Sequence, residues 1–509
     1  MKVPSGLAAL VRSQSSAIRM VAFLASGALL GKILGFVREL LMARVLGASL
    51  IADSFRGAGT AVNMPLIPMQ NEGVPAVMIP MHRAWQEQGR APQNFAALCA
   101  GLWATAALIA IAIEAGGSWW VALIVGRMGP EGQSLVLTFV RVMAVWMPAS
   151  VLLNCLFAAE IATGRSRIAM LRPVSLNIAV MAGIALYAVT GSLIYLPALF
   201  ALSFNVVAVW GVWTLWREGV LDPKGLRIGL ILRVLREFLR RLRPLMLQPL
   251  AEQGQIWLER IVVSGFAVGT LASIDYARTL TDSATLLIAQ PIGMAVLYKG
   301  SSENPRRAAL SIAGPLLAVT VPASVFLAVF APDIVTLVFA RGAFGETAVT
   351  LTSGALRGIA MGLWATTLGI ILLRFLNNDG RNGRAALILA AAYAANAGLN
   401  VLAWRVVGTS GNGSILIGLG EAVRGLVLLA GTALALGTVM PVMRLISVAA
   451  VPAAFMAALC IVIQQAWTGL WAHLVLGGLA CLVTILLAGL LLMPGQIAAW
   501  RGSLAGARE

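Results

Sequence analysis

Long apolar stretches recur along the whole chain, and they dictate what it can fold into. In the first part they cover residues 21–46, 51–81, 94–125, 134–158, 168–190 and 192–215. They continue over 244–266, 269–298, 308–331, 346–376, 386–404, 413–437, 443–463 and 467–494. A helix needs roughly 20 apolar residues to cross a bilayer, and each stretch approaches or exceeds that length. Composition points the same way, since 60% of residues are hydrophobic and 11% are charged, against about 25% charged in a soluble domain. A water-soluble globular fold is excluded. Backbone amides in hydrocarbon must be satisfied within the chain itself, so spans of this kind are helices. The expected fold is an all-α polytopic membrane protein of about 14 transmembrane helices.

The spans fall into groups. Residues 1–216 hold six, and a basic connector follows at 217–243. Residues 244–437 hold six more, and 438–509 hold the last two with a C-terminal tail. In the connector Arg227, Arg233, Arg236, Arg240, Arg241 and Arg243 interleave with Ile228, Ile231, Leu235, Phe238 and Leu242. That spacing predicts an amphipathic helix in the headgroup layer. Gly47-x5-Asp53-x-x-Arg56 in the first half is matched by Gly269-x5-Asp275-x-x-Arg278 in the second. Both patterns open the second span of their half, and each half has an even number of spans. The expectation is two six-helix lobes in parallel pseudo-repeat, related by an axis along the membrane normal, with a polar cavity between their first hairpins. Residues 1–20 lack a compact apolar region ending in a cleavage site and are expected to be retained.

The net charge of +17 would suggest nucleic acid in a soluble protein. Here it reads as orientation signal and contact with anionic membrane lipids, and no nucleic-acid partner is expected. With both termini cytoplasmic, Arg83, Arg90, Arg165, Arg167, the connector, Arg306, Arg307, Arg381, Arg384 and Arg444 lie on the inner side, while Arg127, Arg341 and Arg405 lie outside.

Charges inside spans are expensive and persist only beside a partner, water or an interface. The first span carries Lys32, Arg38, Glu39 and Arg44; the second carries Asp53, Arg56 and Glu72. Pro65, Pro68, Pro75 and Pro80 should bend the second span. The seventh holds Glu252, Glu259 and Arg260, and the eighth holds Asp275, Arg278 and Asp282 at i, i+3 and i+7 on one stripe. We expect Lys32, Arg38, Asp53, Arg56, Arg260 and Arg278 to contact an anionic headgroup, some of the cations being unpaired. Glu39, Glu72, Glu259, Asp275 and Asp282 are expected to act in gating or charge pairing. Cys99, Cys155, Cys460 and Cys481 are scattered, and His82 and His473 lie apart. No metal site, catalytic constellation or cofactor is expected. GxxxG-like spacings arise by chance among 52 glycines and are given no role.

Several motifs resemble those of the MurJ/MviN lipid II flippases, within the multidrug/oligosaccharidyl-lipid/polysaccharide exporter superfamily. They are Leu30-Gly-Lys-Ile-Leu-Gly-Phe-Val-Arg-Glu39, Ala43 to Ala48, Ala52-Asp-Ser-Phe55 and Asn71-Glu-Gly73. Further along come Ala162-Thr-Gly-Arg165 with Pro173 and Asn177, Tyr276 to Leu280, Val338 to Phe344 and Asn378 to Asn382. The resemblance covers residues 20–440. It places Lys32 and Arg38 at family arginines and Asp53 at the family aspartate. Two departures stand out: Leu66-Ile-Pro-Met69 replaces residues that are commonly cationic, and Arg278 comes one place early.

The resemblance implies a flippase carrying an undecaprenyl-pyrophosphate-linked saccharide from inner to outer leaflet by alternating access. The cargo would be a lipid II-like peptidoglycan precursor or an exopolysaccharide repeat unit. It further implies a monomer in the bacterial inner membrane, driven by membrane potential or a Na+ or H+ gradient. An ion-coupled multidrug exporter of the same superfamily is the alternative, and would present acidic, aromatic-lined walls instead of exposed cations.

Overall fold

The computed structural model describes residues 26–27, 29–71, 73–299, 305–408 and 412–493. The N-terminal segment expected to be retained and Glu72 lie outside them. The described residues form helices and the loops joining them. Contacts divide the chain into two compact units, one of residues 1–45 and 54–253, the other of residues 46–53 and 254–509.

The first unit contains α1 (29–46), most of α2 (Leu50–Asn63), α3 (Ile67–Gln70), α4 (Gly73–Glu87), α5 (Ala91–Ala115), α6 (Gly117–Val125) and α7 (Pro130–Met143). It continues with α8 (Trp146–Ala162), α9 (Arg167–Thr190), α10 (Tyr195–Arg217), α11 (Ile228–Leu242) and the start of α12 (Leu247–Val263). The second unit holds the rest of α12, α13 (Thr270–Lys299), α14 (Pro305–Val329), α15 (Ala331–Phe339), α16 (Glu346–Asn378), α17 (Asn382–Val407), α18 (Ser414–Leu436), α19 (Val439–Ala466) and α20 (Leu470–Leu492).

Nine helices among the described residues are long and apolar enough to span a membrane: α5, α9, α10, α14 and α16 to α20. The pair α7 and α8, bent by 49°, makes a tenth if it is one broken span. The segments outside this set include those carrying the sequence's deep charges: α1, the broken run from α2 to α4, α12 and α13. Their charge, and in the second case their prolines, sets them apart. Pro65 and Pro68 cannot donate amide hydrogens, and α2 gives way to a 3-10 turn at Met64–Leu66 followed by the single turn of α3. Asn71 closes the break, donating to the Ile67 carbonyl at 2.8 Å and accepting from the Gly73 amide at 2.7 Å.

Small residues let helices approach closely. Gly27, and Gly31 and Gly35 on α1, lie four residues apart and face Met170, Pro173 and Asn177 of α9, and Asn177 donates to the Gly31 carbonyl at 3.0 Å. In the second unit a Cβ on Gly358 or Gly362 of α16 would overlap the backbone of α18. These spacings, given no role from the sequence, therefore do have one: they let the helices pack closely, backbone against backbone at Gly358 and Gly362. The core of the second unit gathers Leu316, Leu368, Leu372, Phe375, Leu429 and Leu492, so α20 packs into it with α14, α16 and α18.

The connector helix α11 buries Val234, Phe238 and Leu242 and leaves Arg233, Arg236, Arg240 and Arg241 exposed. Ile228 is exposed as well, although the sequence reading groups it with the apolar set. Trp146 is buried and stacks on Phe204 at 5.2 Å.

Gly47 adopts φ +63°, and a Cβ there would overlap the Ala343 carbonyl. Gly47→Ala is therefore expected to cost about 1–3 kcal/mol, read as a drop of several degrees in melting temperature of the detergent-solubilised protein. An unchanged melting temperature would contradict this.

Candidate substrate-binding site

The deep charges assemble into one cluster in each unit. In the first, Glu39 is buried and serves two arginines: Arg38 at 2.6 Å and Arg56 at 2.5 Å. Glu39 thereby ties α1 to α2. Lys32, one and a half turns earlier on α1, is exposed and has no carboxylate partner among the described residues.

In the second unit Glu259 is fully buried and receives both Nη atoms of Arg278, at 2.8 and 2.6 Å. This is the bidentate fork that binds a carboxylate most firmly. Gln255 adds a hydrogen bond to Glu259 at 3.1 Å. Arg278 also reaches Glu421 at 2.7 Å and lies 3.6 Å from Asp275. Arg260 donates to both oxygens of Asp275 at 3.0 Å, and Arg424 holds the other Glu421 oxygen at 2.7 Å. Guanidinium and carboxylate groups match within this network, which ties α12, α13 and α18 together.

The two clusters repeat one device. An arginine on the second helix of each half holds a glutamate on the first, Arg56 with Glu39 and Arg278 with Glu259, across 17 and 19 residues. The glycine that opens each shared pattern turns with positive φ, at Gly47 and Gly269. Asp53 accepts the Gly269 and Ala272 amides at 2.7 Å each. It thereby caps α13, satisfying amides that a helix start leaves open.

Among the expected headgroup contacts, then, Arg38, Arg56, Arg260 and Arg278 hold carboxylates, Asp53 holds backbone, and Lys32 stays without an acid. Asp282 is exposed on α13. Glu252 is placed in the first unit, where it lines a pocket of about 480 Å³ with Gln70, Asn71, Gly73, Gln248 and Gln253. These amides can both donate to and accept from sugar hydroxyl or acetamido groups. Sequence reasoning passed over Arg172 on α9, whose guanidinium bonds Asn154 at 3.2 Å. It also passed over Glu160, which is buried and bonded to Arg167 at 2.7 Å and to the Ile168 amide. Among the described residues no cluster of His, Cys, Asp or Glu is arranged for a metal.

A family model described as lipid II flippase MurJ matches residues 42–479. The chain belongs to that family. A MurJ lipid II flippase from Burkholderia cenocepacia is 27% identical over 378 residues, covering 68% of this chain and 70% of the relative. A solved structure described as lipid II flippase MurJ in an inward closed conformation aligns with TM-score 0.78 at 15% identity, covering 91% of this chain and 98% of that one. A multidrug resistance MATE transporter in an inward-facing conformation aligns with TM-score 0.62, also at 15% identity, over 82% and 95%. Likeness at that identity shows the fold. Membership of the MurJ family makes the chain a multi-pass membrane transporter and not an enzyme.

Within this MurJ-family chain the Arg278 network also bears on folding. Arg278→Ala leaves Glu259 buried with only the Gln255 amide, and breaking a buried pair costs about 3–5 kcal/mol. The melting temperature should fall steeply, while Lys32→Ala should leave it unchanged. Equal effects of the two substitutions would contradict the division between paired and unpaired cations.

Proposed function

We propose that this chain translocates lipid II, an undecaprenyl-pyrophosphate-linked saccharide, from the inner to the outer leaflet of the bacterial cytoplasmic membrane by alternating access. The family match supports the cargo. The observation that carries the reading in this chain is Lys32 on α1, a cation with no carboxylate partner among the described residues. Ammonium and guanidinium groups at bilayer depth give charge-assisted bonds to phosphate oxygens. The amides of the Gln70 pocket suit the sugar.

In this proposal the protein works as a monomer with both termini cytoplasmic, and the exposed arginines of α11 rest on anionic lipids. Membrane potential or a Na+ or H+ gradient supplies the energy. The chain contains no G-x-x-x-x-G-K-[ST] loop for a nucleotide. An exopolysaccharide unit shares the pyrophosphate chemistry and differs only in its sugar.

Expression in bacteria depleted of their own lipid II flippase separates these cargoes. Rescue of growth is expected. Lys32→Arg should rescue nearly as well, and Lys32→Ala should fail at equal membrane abundance. Absence of rescue by the unaltered chain at normal abundance would refute lipid II as cargo.

A further inference from the structure

Among the described residues, charge pairing of the sheltered arginines has one exception. Arg38 and Arg56 hold Glu39, Arg167 holds Glu160, Arg260 holds Asp275, Arg278 holds Glu259, Arg381 holds Asp379 and Arg424 holds Glu421. Arg172 is likewise half-buried, but its partners are the Asn154 Oδ1 atom at 3.2 Å and the Phe204 ring at 5.6 Å. It lies five residues into α9, about 7–8 Å along the helix axis. An uncompensated cation at such a place is costly and marks function by default.

A guanidinium has five N–H donors, and Asn154 takes only one of them. Buried guanidinium nitrogens left without a partner occur in Arg38, Arg56 and Arg260, and Arg172 is not among them. Its remaining donors are therefore open to an incoming group. The surroundings are polar in a directed way. Asn154 donates to the Met69 carbonyl at 3.3 Å, and Ser150, one turn earlier on α8, accepts from Gln70. Gln70 is itself a wall of the amide-lined pocket with Asn71, Gln248 and Gln253. A ladder of amides and a hydroxyl thus runs from that pocket to an acid-free arginine, within one unit. One carboxylate, Glu252, stands at the pocket end, and among the described residues none bonds Arg172 itself.

We propose that Arg172, oriented by Asn154, is a phosphate-binding residue of this chain that holds the pyrophosphate of a lipid-linked saccharide. The assignment rests on the flippase reading above and adds a contact on α9 to it. Phe204 and Asn154 fix the guanidinium plane, leaving its outer edge for phosphate oxygens.

The test measures binding to the purified full-length protein in detergent, by native mass spectrometry and ligand-induced thermal shift. The probes are undecaprenyl pyrophosphate, undecaprenol and inorganic pyrophosphate. The unaltered protein is expected to bind undecaprenyl pyrophosphate and to prefer it to undecaprenol. Arg172→Gln should weaken that binding about 10- to 100-fold, the loss expected for charge-assisted hydrogen bonds, with the unliganded melting temperature retained. Arg172→Lys should weaken it severalfold, because an ammonium lacks the fork, and it serves as the comparison if the glutamine variant does not fold.

Competition by inorganic pyrophosphate that disappears in the variant supports a site reading the phosphates themselves. Loss of lipid binding alone supports a site that needs the phosphate presented on its lipid. Undiminished binding of undecaprenyl pyrophosphate by folded Arg172→Gln or Arg172→Lys overturns the assignment and leaves the flippase reading intact. If the unaltered protein ignores undecaprenyl pyrophosphate, the flippase reading falls and takes this assignment with it.

Discussion

A full charge in hydrocarbon must find a counter-charge or an aqueous neighbour, and this requirement organises the first two helices of each half. Glu259 is sealed from solvent and survives as a carboxylate site because both arms of Arg278 close on it. Glu39 stands in the same relation to Arg56. Neither pair is strong evidence for stability, since desolvation offsets much of the attraction. What such pairs do is specify: a carboxylate and a guanidinium this deep tolerate few alternative registers, so each fixes how its two helices meet. The glycines that precede them, Gly47 and Gly269, supply the left-handed turn between those helices.

Pairing on this scale changes what the charges are available for. The arginines that the sequence marks for headgroup contact are occupied by acids, and the second unit's network is locally balanced. Among the described residues, the cations without an acid include Lys32 on α1 and the half-buried Arg172 on α9, both in the first unit. Chemistry for a pyrophosphate thus comes from fewer residues than a count of cations suggests, and one of them lies on a helix whose apolar character concealed it. MATE transporters share the fold, so architecture does not choose the cargo; local charge does.

Much of the fold was legible because its rules are local. Apolar length announces a span, Pro65 and Pro68 break one, and the paired Gly-Asp-Arg patterns mark corresponding places in two halves. The Asp275–Arg278 and Glu421–Arg424 contacts follow from i, i+3 spacing on a helix. What escaped depends on tertiary distance. Nothing in spacing shows that Arg278 reaches Glu421, 143 residues on. Nor could it show that Asp53 closes the start of α13. Arg172 was missed since a lone arginine near the end of a span looks like one reaching for headgroups, and only the packing of Asn154 and Phe204 around it shows otherwise. The glycines of α1 were missed because glycine is common here, and a meaningful stripe is separated from chance only by what lies opposite.

The claim at the centre of this account is that the cations left without acids carry a phosphate-bearing headgroup across the bilayer. It is tested most directly by following lipid II on the outer face of cells in which this chain is the sole flippase, using a membrane-impermeant enzyme that cleaves the exposed headgroup. Cleavage should proceed with the unaltered chain and stop when Lys32 and Arg172 are both replaced by glutamine in protein that still folds and inserts. Cleavage continuing at the original rate in that double variant would contradict the account.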